Sequence, residues 1–140
     1  GADPTVKQLY RSLSAGDFDS FRETLTEFLA SIPYTMRRKG TERERERYFQ
    51  YTFYLVLRLL STYAVGVEVE QSRGRVDCVV RAADDVYVIE FKLDGGAREA
   101  LAQIESRGYA RPYASLGPRL HKVGVSFSSE TGTIEEWEEE

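Results

Sequence analysis

The chain has 140 residues and a mass of 16.0 kDa, 41% of them hydrophobic and 12% aromatic, which is enough for one domain with a core that needs neither metal nor disulfide to fold. One cysteine (Cys78) and one histidine (His121) exclude a disulfide framework and a multi-cysteine zinc site, and argue against a histidine-rich metal centre or a His-dependent triad. The net charge of −4 is concentrated in a tail: residues 130–140 hold six glutamates and no base, and the remainder carries 19 bases against 17 acids. No apolar run reaches the length of a membrane span and no signal peptide opens the chain, so a cytoplasmic setting is expected.

In chain order, residues 3–15 predict a short helix after Pro4, with Val6, Leu9, Tyr10 and Leu13 at helical spacing. Gly16 breaks it. Asp17 or Asp19 can cap a second helix, whose Phe18, Phe21, Leu25, Phe28, Leu29 and Ile32 face inward until Pro33 stops it. Thr41 can cap a long third helix with a buried stripe of Phe49, Phe53, Val56, Leu57 and Leu60. The period then changes from helical to alternating. VGVEVE (65–70), RVDCVVR (75–81) and VYVIEFK (86–92) predict three consecutive antiparallel strands, and the last two are apolar enough for both faces to be covered. Residues 95–114 are helical at least to Arg107, KVGVSF (122–127) predicts a fourth strand, and the acidic tail can add an edge strand. The expected fold class is α/β, with helices flanking a mixed central sheet and a helical crossover leading to a parallel strand. Residues 1–40 are expected to form an N-terminal helical segment packed on a core of residues 41–140.

One constellation carries chemistry. A turn centred on Ala83 and Asp84 puts Asp77 opposite Glu90, and Lys92, two residues on, shares the face of Glu90. Two facing carboxylates need something positive between them. Lys92 is one candidate, and would make the group a structural ion pair. A hard divalent cation, Mg²⁺ or Mn²⁺, is the other, with a nucleic-acid phosphodiester as substrate. Glu46 lies on the Phe49/Phe53 stripe and is expected to approach the acids more closely than Glu42 or Glu44. Gln103 borders the inward face of the later helix, where it can contact a nucleotide or a ligand water. Arg43 and Arg47, within the cluster of Arg37, Arg38, Lys39 and Arg45, and Arg73 and Arg75 beside the turn before Asp77, are candidates for the phosphate backbone. Tyr109, Tyr113 and Trp137 are read as core or rim, Cys78 as core and His121 as a surface residue at a strand start.

GRVD (74–77) followed by IEFK (89–92), with Glu46 upstream and Gln103 downstream, resembles the PD-(D/E)XK nuclease superfamily. The stretches GDFDSF (16–21), ASIPY (30–34), FYLVLRLL (53–60), VYVIEFKLDG (86–95) and ALAQIESRGYA (100–110) resemble the branch usually fused behind an AAA-ATPase-like domain. The resemblance runs from Asp17 to nearly the end, with Val76 standing where the motif name has proline. It implies a restriction-endonuclease-like αβββαβ core, Mg²⁺ held by Asp77 and Glu90, and catalytic roles for Lys92 and Glu46. DNA is the implied substrate and an ATPase-like domain the implied partner. Because the superfamily includes inactive scaffolds, a non-catalytic nucleic-acid-binding or interaction module is the alternative. No phosphate-binding G-x-x-x-x-G-K loop occurs in this chain.

Overall fold

The computed structural model describes residues 4–32, 40–61, 66–72, 74–82, 84–114, 117 and 119–140. Three helices open the chain: α1 (Pro4–Ser14), α2 (Phe18–Ser31) and α3 (Glu42–Leu60). Asp17 caps α2 by accepting from the Ser20 N–H at 3.1 Å, and Thr41 caps α3 by accepting from the Glu44 N–H at 3.3 Å. Strands β1 (Val67–Ser72), β2 (Arg75–Ala82) and β3 (Asp85–Leu93) follow, then α4 (Ala97–Arg107), β4 (Arg119–Ser128) and β5 (Thr133–Glu139). Gly108, at φ 69°, adopts the left-handed conformation that ends α4. None of the described helices is long and apolar enough to cross a membrane.

The sheet is mixed, in the order β1-β2-β3-β4-β5, with β3 and β4 parallel and every other pair antiparallel. The acidic tail is a full edge strand in which a register shift opposite Ser126 and Phe127 lets Ile134 and Trp137, three residues apart, both pack against the main core. The two faces of the sheet are covered differently. Phe53 stacks 4.3 Å from Phe91, and Phe49 lies 5.3 Å from Phe127, so α3 sits on the face of the odd-numbered β3 and β4 residues. Leu9, Leu13, Phe18, Phe21, Leu25 and Leu29 of α1 and α2 join the same cluster. The opposite face belongs to α4, whose Ile104 packs with Val86 and Val88. Gly124 makes that approach possible: a Cβ there would lie 2.1 Å from the Ala97 carbonyl oxygen.

Candidate metal centre

Neighbouring residues of a strand point to opposite faces, so Glu90, next to Phe91, faces α4. Asp77 is its register partner on β2, and both are buried, Glu90 with no exposed surface at all. A row of carboxylates thus runs across the sheet, since Glu70 of β1 is in turn the register partner of Asp77. Burial first, and then the Asp77 carboxyl beside it, push the pKa of Glu90 up to about 8, while Arg107 and Arg75 pull it down. At neutral pH the metal-free Glu90 is therefore largely protonated.

Arginines, not Lys92, flank the acids. Arg107 Nη1 donates to Glu90 Oε1 at 2.9 Å, and Arg75 Nε lies 2.8 Å from Asp77 Oδ2. The latter contact is close but misaligned, so neither atom completes a hydrogen bond. Lys92 shares the face of Glu90, as its spacing requires, but its Nζ is bonded to Glu99 Oε1 on α4 at 2.9 Å. The expectation that Lys92 lies between the acids and neutralises them in the metal-free protein is corrected accordingly: Glu99, one turn into the helix above, competes for it.

The other expected residues separate. Gln103 lies on α4 between Glu99 and Arg107, one turn from each, and its Oε1 is buried without a hydrogen-bond partner. Glu46, Arg43 and Arg47 sit on α3, which covers the face opposite Glu90. Arg43 and Arg47 are exposed; Glu46 is on the inward stripe, as the periodicity says, but inward means the other side of the sheet, and it lies half-buried in a groove with Thr41, Glu42 and Arg43. Arg73, Arg37, Arg38 and Lys39 lie outside the described residues. Glu99 and Arg107 were not legible as site residues until α4 was placed. The available signal was their spacing, four residues on either side of Gln103.

The donor set suits a hard cation. Asp77 Oδ1 and Oδ2 and Glu90 Oε2 are buried oxygens without a hydrogen-bond partner, an arrangement that is costly unless positive charge reaches them. Among the described residues no third Asp, Glu, His or Cys joins them in a metal-binding cluster. A cation held here would rest on two carboxylates, with water and substrate oxygens completing its shell, the pattern of Mg²⁺ sites that act on phosphates.

Comparison with known proteins agrees with this geometry. A sequence profile of the PD-(D/E)XK nuclease superfamily matches residues 44–137, from the first turns of α3 to β5. The chain is also 35% identical, over 129 residues, to an uncharacterised protein encoded in the vnfD 5′ region of Azotobacter chroococcum mcd 1. That match takes in 91% of this chain and 25% of the relative, so the chain spans about a quarter of the relative's length. The chain belongs to the PD-(D/E)XK nuclease superfamily.

Proposed function

We propose that this domain is a divalent-metal-dependent nuclease that hydrolyses phosphodiester bonds of nucleic acid, DNA in the first instance, with Asp77 and Glu90 as the metal ligands and Mg²⁺ or Mn²⁺ as the ion. The observation that carries the reading is the opposed, buried pair with three carboxylate oxygens that accept no hydrogen bond, one of them, Asp77 Oδ2, in ion contact with Arg75. A bound ion would polarise a phosphoryl oxygen and lower the pKa of a water. The protein's own groups supply the rest. Loss of the Glu90 proton would ready it as an anionic ligand beside Asp77. Arg107 and Arg75, already at the acids, are within reach of a phosphate placed there and can offset its charge. Lys92, released from Glu99, can orient the attacking water or stabilise charge on the phosphoryl group. Gln103 offers an amide to a water or a nucleotide. By resemblance, an ATPase-like domain accompanies this one in longer chains.

A second reading, a non-catalytic module that keeps the fold, draws on the ion pairs that engage Glu90 and Lys92. Cleavage of single- and double-stranded DNA with Mg²⁺ or Mn²⁺ separates the two. Activity abolished by Asp77→Ala is expected. Nucleic-acid binding without cleavage under either metal would favour the second.

A further inference from the structure

Beside the acid pair the sheet offers an apolar floor. Val79 and Val88, register partners two residues along the same face from Asp77 and Glu90, lie under Tyr109 and Tyr113 of the segment that follows α4. These residues line a cleft of about 410 Å³, with Asp77 and the exposed carboxylates Glu68 and Glu70 of β1 also on its lining. Arg81 links one carboxylate and one ring of the lining, at 3.3 Å from Glu68 and 5.9 Å from the Tyr113 ring centroid.

We propose that this cleft receives one unstacked nucleobase next to the scissile phosphate, which makes single-stranded nucleic acid the substrate class, with preference for bases that carry an exocyclic amine. The proposal rests on the reading of Asp77 and Glu90 as the place of that phosphate. A cleft whose lining combines Val79 and Val88 with Tyr109 and Tyr113 offers apolar and aromatic surface to the face of a base, and its volume is near the small end of ligand sites, room for one base and its sugar. The carboxylates repel phosphate, so the backbone stays outside. They accept hydrogen bonds, so the amines of cytosine, adenine and guanine are favoured over the carbonyl edge of thymine. Bases stacked and paired in a duplex cannot enter without being extruded.

Fluorescence anisotropy tests this with labelled oligodeoxycytidine, oligoribocytidine, oligothymidine and a hairpin duplex, with Ca²⁺ replacing Mg²⁺ so that binding is read without turnover. The cytidine strands are expected to bind more tightly than oligothymidine and the hairpin. Tyr113→Ala is expected to weaken cytidine-strand binding by about tenfold. Glu70→Gln, an exposed change that leaves folding intact, is expected to shrink the preference for cytidine over thymidine. Equal or tighter binding of the hairpin, an unchanged base preference in Glu70→Gln, or no binding of any of the four would overturn the cleft. Cleavage with Mn²⁺, run alongside, keeps the two readings apart. Binding that follows the expected pattern without cleavage overturns only the nuclease. Cleavage of strand and hairpin alike, unaltered by Tyr113→Ala, overturns only the cleft.

Discussion

At the scale of single residues, Glu90, the proposed metal ligand, is a carboxyl whose charged form the fold opposes. An unfolded glutamate gives up its proton near 4.5, whereas the folded one keeps it to about 8. A raised carboxyl pKa means that the fold disfavours the anion, so Glu90 weakens stability progressively as pH rises between those values. Glu90→Gln should therefore melt with the wild type at the acid end, where both side chains are neutral, and increasingly above it as pH rises past 4.5, the gap being complete at about 8. Thermal melts of the metal-free protein across pH check this. A variant less stable at every pH would mean that the Arg107 ion pair outweighs burial and the Asp77 charge. The same substitution should abolish Mn²⁺ binding by titration calorimetry, which separates its role as a ligand from its effect on the fold. Lys92 is the complementary case. Its partner Glu99 is largely exposed, so losing the pair should cost little stability. Lys92→Ala should then fold nearly normally while losing kcat. A large fall in melting temperature with cleavage preserved would make Lys92 structural.

At the scale of elements, the site is one helix laid on one hairpin. The hairpin was legible. Period-2 alternation and a short turn fix that residue 77 opposes residue 90, because a one-residue slip would send Val76 and Phe91 out of the core. The face was not legible. Both sides of β3 are apolar, so the sequence does not say which helix covers Glu90, and a stripe that points inward from α3 reads the same whichever face it covers. That is why Glu46 was drawn to the acids, and why Glu99 and Arg107, whose partners lie 7 and 17 residues away, were missed. The seating of α4 depends on Gly124, the register partner of Glu90 on β4. A methyl group there would meet backbone, the Ala97 oxygen at 2.1 Å and the Leu101 nitrogen at 2.7 Å, and neither can swing aside like a side-chain tip. Gly124→Ala should cost about 1–3 kcal/mol by chemical denaturation as the helix is forced outward. It should also weaken Mn²⁺ binding, since Gln103 and Arg107 move with the helix. Unchanged stability would show that α4 is loosely seated.

At the scale of the whole molecule, one polar cluster fastens the N-terminal helices to the sheet, at the end of β3 away from Lys92. Asp85, 1% exposed, accepts two hydrogen bonds from Arg119, at 2.9 and 3.0 Å, and lies 2.7 Å from His121 Nε2. His121 stacks on Tyr87, whose hydroxyl donates to the Leu13 carbonyl of α1 across 74 residues of sequence. The periodicity made His121 a surface residue because none of these partners is near it in sequence. Arg119 first, with His121 in support and burial opposing, holds the Asp85 carboxyl below its ordinary value of 3.8. A lowered carboxyl pKa contributes stability that is fully present above the unfolded value and lost as pH falls through the folded one. Asp85→Asn should thus be about 2 kcal/mol less stable than the wild type at neutral pH, the scale of hydrogen bonds to a charged group. The two stabilities should converge in acid, below the ordinary aspartate range, once the wild-type carboxyl is protonated as well. Denaturant titrations at several pH values measure the gap. A gap that stays constant into acid would assign the loss to packing of the amide instead of to the ion pair, and would leave the apolar contacts of Phe18 and Leu13 as what holds α1 and α2 in place.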